Sequence, residues 1–438
     1  MKVPIDWFRN TAPYINQHRG ATFILMLPGE AALAGAGDDG YLRHLQQDVA
    51  LLTSLGVRLV LVFGSRPQID RRLAGAAVAS RLHGGRRITD ASSMPLLQEA
   101  VGAQRIELEA LLSMGLPNSP LQGARLEVCG GNFVTARPLG VVDGVDYQLT
   151  GCVRRVDAVA IRARLERGCV VLLSCLGYSP TGEVFNLTIE DVAISAAQTL
   201  EADKLILLAP DDGVRGDDGA LLRQCVAGDT ADLSVREDSR ALLDKASAAC
   251  QGGVPRCHIV SFREPDALLT ELFTTDGSGT LVSRRPYERM RRAAIDDVGG
   301  ILDLIAPLEA SGVLARRSRE VLEAEIGHFR LLERDGRSIA CAALYPFPAQ
   351  RSGELACIVC HPDYRGGGRA RRLVEELEQE ALSQVLDTLF VLTTHTAHCF
   401  LERGFSAGSL EDLPPRRQAL YNLQRGSKVF LKRLPAPR

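Results

Sequence analysis

The chain has 438 residues, of which 46% are hydrophobic and 24% charged, with a formal net charge of -2. That is ample apolar residue for two or three self-sufficient cores without disulfide or metal staples. The balanced charge excludes the broad basic field of a nucleic-acid or anionic-membrane binder, and no apolar run reaches the ~18 residues of a membrane span.

Near the start, Trp7–Arg19 carries Phe8, Tyr14 and Ile15 ahead of Gly20 and reads as an amphipathic helical arm, residues 1–20. Its apolar face needs a partner, in its own domain or in another subunit. Thr22–Leu27 is a short apolar run. Tyr41–Leu55 places Leu42, Leu45, Val49 and Leu52 on one helical face. Gly56 stops that helix, and Val57–Phe63 is a buried strand ending at Gly64. The alternation recurs. Val156–Arg167 is helical and Cys169–Leu173 a strand; Asp191–Leu200 is helical and Lys204–Ala209 a strand. Alternating elements of this kind predict a mainly parallel sheet covered on both faces, an α/β domain over 21–282.

A glycine-rich and then basic stretch, Thr275–Arg292, marks a composition shift, and 283–294 reads as a linker. Beyond it, over 295–438, the pattern is α+β. Helices are expected at Ile301–Leu308 and Arg319–Ile326. A hairpin turns at Asp335-Gly336 between Arg330–Glu333 and Ser338–Tyr345. Glu354–Cys360 and Thr388–Thr393 are strands. Arg369–Leu382 and Ala397–Arg403 are helices, the second closed by Gly404.

The eleven cysteines sit mostly in apolar runs, such as Cys169 and Cys175, as small buried hydrophobes do in a reducing compartment. Met1–Trp7 lacks the features of a signal peptide, so a cytoplasmic location is expected. Cys357 and Cys360 share a strand and have no matching second pair. They read as packing residues, and no metal is expected.

The chemistry concentrates at 354–405. The strand Glu354–Cys360 runs through His361-Pro362-Asp363-Tyr364 into Arg365-Gly366-Gly367-Gly368-Arg369-Ala370, which opens a helix. Glycines at such a junction let backbone N–H groups converge, and with the helix N-terminus they make an anion site suited to a pyrophosphate. The loop is neither a Walker loop nor a dinucleotide fingerprint. Its Arg365, Gly368, Ala370 spacing resembles the acetyl-CoA signature of the Gcn5-related N-acetyltransferase superfamily, as does the later Phe390–Thr393 strand followed by Phe400–Phe405. The resemblance implies acetyl-CoA as co-substrate, held by Ile358, Val359 and residues 365–370. An amine must lose its proton to attack a thioester, and Glu354 stands where a carboxylate could take it. Thr393 or Thr394 could supply a hydroxyl acid for the leaving thiolate.

The front domain resembles the amino acid kinase family through Leu61–Ser65, Gly85–Asp90, Asn186–Asp191 and Leu269–Thr280. It departs from a working kinase at Leu27-Pro28-Gly29-Glu30, where that family carries a lysine at the end of its first strand. Lysine occurs only at Lys2, Lys204, Lys245, Lys428 and Lys432. Phosphoryl transfer depends on cations at the phosphates, so no kinase activity is expected. The combination resembles the bacterial N-acetylglutamate synthase family. That implies L-glutamate as acceptor, held by Arg316 and Arg425. It also implies a homo-hexamer, and L-arginine as a feedback effector at Tyr14, His258, Glu271, Gly277 and Gly279. The alternatives are an N-acetylglutamate kinase, or an arginine sensor with a vestigial acetyltransferase part.

Overall fold

The computed structural model describes residues 5–33, 41–114, 121, 123–274, 276–286, 288–334, 336–365, 368–394, 397–421 and 426–435. The chain divides into two compact units, 1–286 and 287–438.

In the first unit an eight-stranded sheet runs in the order Gln224–Val226, Thr280–Ser283, Arg256–Ser261, Lys204–Ala209, Thr22–Leu27, Arg58–Phe63, Val170–Ser174, Val128–Gly130. Every neighbouring pair is parallel except Arg256–Ser261 with Thr280–Ser283. The two-residue side-chain period divides the central strands between two cores. Ile24, Met26, Val60 and Val62 face one, and Phe23, Leu25, Leu59 and Leu61 the other. Both faces are therefore covered, and the domain has three layers, as the continuous apolar runs predict. Helix Ile189–Thr199 is started by Thr188, whose hydroxyl accepts from Asp191 N at 3.3 Å, with Glu190 and Asp191 in its first turn. A smaller four-stranded sheet of Gly151–Val156, Val134–Pro138, Leu176–Tyr178 and Val184–Asn186 has no counterpart in the sequence reading. The arm forms helix Ile5–His18 and packs on helix Ala267–Phe273 of its own domain, where the His18 ring meets Phe273 edge-on at 5.2 Å.

In the second unit a seven-stranded sheet runs Glu288–Arg292, Phe329–Arg334, Arg337–Phe347, Ser352–Cys360, Thr388–Thr393, Lys428–Arg433, Ser406–Gly408. All pairs are antiparallel except Ser352–Cys360 with Thr388–Thr393. Helix Arg369–Ser383 covers one face through Leu373, Val374 and Leu377, and helix Val298–Ala310 the other through Ile301 and Ile305. The boundary between the units falls inside the stretch 283–294, but part of that stretch is a strand. Glu288–Arg292 pairs with Phe329–Arg334 as the sheet's edge strand. Its basic sequence is typical of an edge, where charge discourages further pairing.

Candidate active site

The site is set by a fault in one strand. Cys341 opposes Val359, but Ala343 opposes Ala356, so Ser352–Cys360 carries one extra residue there. Cys357 takes up the bulge with φ +50°. The insertion reverses the alternation of side chains. Cys357 and Val359 then share the face packed by Val298–Ala310, while Ile358 and Cys360 turn to the face of Arg369–Ser383.

A second discontinuity lies beside it. Ser352–Cys360 pairs with Thr388–Thr393 only from Ser352 with Thr388 to Leu355 with Val391. Beyond Leu355 the ladder stops, so backbone groups on both strands are left for another partner. Glu354 is the last residue but one of that ladder, opposite Phe390 on one side and Tyr345 on the other. It is 8% exposed. Arg417 grips it at both oxygens, with Nε to Oε2 at 2.6 Å and Nη2 to Oε1 at 3.0 Å. Arg417 comes from the short helix Pro415–Ala419 and was not foreseen from the sequence.

Thr393 ends the neighbouring strand, opposite Lys428, and is buried. The adjacent Thr394 hydroxyl is buried with no hydrogen-bond partner. Both threonines follow the point where the parallel ladder opens.

Helix Arg369–Ser383 begins at Gly368, whose φ of +69° suits glycine, and no side chain caps it. The first amides of a helix have no acceptor within it, so those of Arg369, Ala370 and Arg371 point towards the loop that precedes it. This fits a pyrophosphate. Gly366 and Gly367 lie outside the described residues. Arg365 is exposed, with Nε 3.4 Å from Cys360 O. The Arg369 side chain does not serve an anion. Its Nε donates to Glu288 Oε1 at 2.7 Å and its Nη1 to Tyr364 O at 2.8 Å. Only its backbone N–H is available to a ligand.

Arg316 is exposed, whereas Arg317 is half-buried. Burial opposes the Arg317 charge, but Cys357, Tyr345 and Glu325 beside it raise its pKa above the ordinary value. Tyr345 in turn donates to Glu325 Oε2 at 2.7 Å. Of these two arginines, Arg317 is therefore the one beside the Glu354 strand. The two are neighbours in the chain, and no periodicity in the sequence marks which of them is buried. Arg425 lies outside the described residues. No group of three or more His, Cys, Asp or Glu among the described residues could hold a metal ion.

In the first unit four of the five expected effector residues meet. Glu271 Oε1 is 2.7 Å from His258 Nδ1, and Oε2 accepts from Ser278 N and Gly279 N, each at 2.8 Å. Burial would raise the Glu271 pKa, but His258 and the amides of Gly279 and Ser278 hold it at about 2. Burial and then the nearby Lys204 depress His258. Its Nδ1 faces Glu271, and its Nε2 lies 3.4 Å from Lys204 Nζ. Gly277 has φ +64°, and a Cβ there would lie 2.4 Å from Glu271 Oε2. A Cβ on Gly279 would lie 2.1 Å from Ile259 O. Tyr14 is on the arm helix that packs against the helix of Glu271. A separate cavity of about 210 Å³ is lined by Pro28, Gly29, Glu30, Gly64, Ser65 and Arg66 among others, and among the described residues no lysine lines it.

Residues 21–261 match the Amino acid kinase family and residues 302–405 the Acetyltransferase (GNAT) family. Fold and site thus define a GNAT acyltransferase behind an amino-acid-kinase-type domain. An amino-acid acetyltransferase of Azotobacter vinelandii is 53% identical over 99% of this chain and 100% of its own length. One from Pseudomonas fluorescens strain Pf0-1 is 53% identical over 98% of this chain and 99% of its own. The crystal structure of N-acetylglutamate synthase from Neisseria gonorrhoeae complexed with coenzyme A and L-arginine superposes with a TM-score of 0.88 at 36% identity, covering 99% of this chain and 100% of that one. The same enzyme with coenzyme A and N-acetyl-glutamate covers the same shares at 36% identity, with a TM-score of 0.63. The chain belongs to the amino-acid acetyltransferase family, that of the N-acetylglutamate synthases. It is an enzyme that transfers an acetyl group from acetyl-CoA to an amino acid.

Proposed function

We propose that the chain acetylates the α-amino group of L-glutamate, giving N-acetyl-L-glutamate and CoA as the first step of arginine biosynthesis. L-Arginine acts as feedback inhibitor through the first domain, and the enzyme works in the cytoplasm as a homo-hexamer. The observation that carries the reaction is the position of Glu354. It is a buried carboxylate on the strand that leads through the bulge to the N-terminus of helix Arg369–Ser383. Acetyl-CoA supplies the activated acyl carbon, with its pyrophosphate on the backbone of 365–370 and its acyl arm along Ile358 and Val359. Glu354 takes a proton from the acceptor ammonium, which is worth on the order of 10²–10⁴-fold. Thr393 delivers a proton to the departing sulfur, with Thr394 as the neighbouring candidate. Arg425 and either Arg316 or Arg317 bind the acceptor's carboxylates; the burial of Arg317 beside the Glu354 strand favours it.

The arginine proposal draws support from the cluster His258, Glu271, Gly277 and Gly279, with Tyr14 on the adjoining helix. It draws further support from the N. gonorrhoeae enzyme, whose structure holds L-arginine. CoA release measured across a panel of amino acids, with and without arginine, tests both parts. Release that depends on glutamate and falls with arginine is expected. Absence of glutamate-dependent release would remove the substrate, and release indifferent to arginine would remove the effector.

A further inference from the structure

Arg417 and Glu354 form a two-point ion pair, at 2.6 and 3.0 Å. The Glu354 side chain is 10% exposed and that of Arg417 22%, so the guanidinium is the partner reached from solvent. The loop that carries it is fixed. Leu413 packs against Phe390 and Val429, and Gln418 Nε2 donates to Leu413 O at 2.7 Å. Arg417 Nη1 also donates to Leu420 O at 3.3 Å. The fork on Glu354 is thus held from a braced segment.

Such a fork is a strong, directional contact, and it occupies both carboxylate oxygens. The fork takes one lone pair on each oxygen, and the guanidinium stands on the solvent side, so an ammonium arriving from solvent displaces one of these bonds before its proton reaches the carboxylate. The acceptor brings its own carboxylate to the same place, because an amino acid's α-carboxylate is attached to the carbon bearing the reacting nitrogen. We propose that Arg417 keeps Glu354 engaged until the acceptor's α-carboxylate takes over its guanidinium, leaving the acceptor's side-chain carboxylate to the other arginines named above. This rests on Glu354 being the proton acceptor. Once exchanged, Glu354 takes one proton from R–NH3+. The amine forms the N–C bond to the acyl carbon, the C–S bond breaks, and the second nitrogen proton passes to sulfur. The proton on Glu354 then leaves to solvent. An amine without a neighbouring carboxylate leaves the fork closed.

The test compares L-glutamate, its α-amide L-isoglutamine and its side-chain amide L-glutamine in the full chain, as wild type, Arg417→Gln and Arg417→Lys. Acetyl-CoA binding and thermal melting confirm that each variant is folded. In Arg417→Gln the KM for glutamate is expected to rise on the order of 10- to 100-fold, as for loss of a charge-assisted hydrogen bond. The preference for glutamate over isoglutamine should collapse to about threefold or less, while that over glutamine persists. Lysine keeps the charge without the fork and should fall between the two. Undiminished discrimination against isoglutamine, or an equal loss for all three acceptors, would overturn the proposal. Failure of the underlying reading looks different: Glu354→Gln would then leave wild-type turnover unchanged.

Discussion

His258 and Glu271 face each other at 2.7 Å in the interior of the first domain, each side chain 5% exposed, and the glutamate also holds the amides of Ser278 and Gly279. One carboxylate therefore organises a strand, a helix and a glycine turn. Glu271→Gln removes the charge that these donors share. The expected cost is about 1.5–3 kcal/mol of domain stability, with the arginine response lost and glutamate acetylation retained. Thermal melting alongside inhibition curves checks it.

The same pair sets a pH dependence. Both pKa values are depressed in the folded state, Glu271 to about 2 from 4.5 and His258 below its ordinary 6.5. A depressed group stabilises the fold above its unfolded pKa and withdraws that stability as pH falls through the folded value. The first domain should lose stability in two stages, below about 6.5 from His258 and below about 4.5 from Glu271. In His258→Gln the upper stage should shrink, as denaturant melts across this range would show.

Gly279→Ala places a methyl carbon 2.1 Å from Ile259 O, a distance the backbone must relieve by moving the turn. The amide of residue 279 then leaves Glu271. Loss of arginine sensitivity with near-normal uninhibited turnover is expected in steady-state assays.

Arg369 is tied to Glu288 on the sheet's edge strand, while its backbone opens helix Arg369–Ser383, proposed to hold the pyrophosphate. Arg369→Ala should lower the melting temperature and raise the acetyl-CoA KM only modestly. Gly368→Ala forces an L-residue into positive φ, costing about 1–2 kcal/mol, and should raise that KM more while sparing kcat.

Thr393 and Thr394 are separable. Thr393→Val should reduce kcat if the strand-end hydroxyl protonates sulfur, with Thr394→Val near wild type. The reverse pattern would assign the proton to Thr394, the hydroxyl buried without a partner.

Much of the fold was legible in the sequence because it is local. Continuous apolar runs such as Thr22–Leu27 declare a doubly covered parallel sheet. The glycines after the Glu354–Cys360 strand mark where helix Arg369–Ser383 starts. What stayed hidden depends on contacts across the chain. Arg417 is 63 residues from Glu354, and nothing in its own segment distinguishes it from other surface arginines. The Cys357 bulge is a register property, visible only once Arg337–Phe347 is paired with its neighbour. Glu288–Arg292 was hidden by the charge that suits an edge strand, and Arg316 and Arg317 are adjacent, so only the fold separates the exposed one from the half-buried one.

The most direct measurement is turnover of Glu354→Gln with acetyl-CoA and L-glutamate, set beside its acetyl-CoA dissociation constant. The substitution keeps the shape and removes the proton acceptor. The expected result is a fall in kcat on the order of 10²–10⁴-fold with acetyl-CoA binding unchanged. Turnover within about twofold of wild type would contradict the assignment of Glu354 as the base.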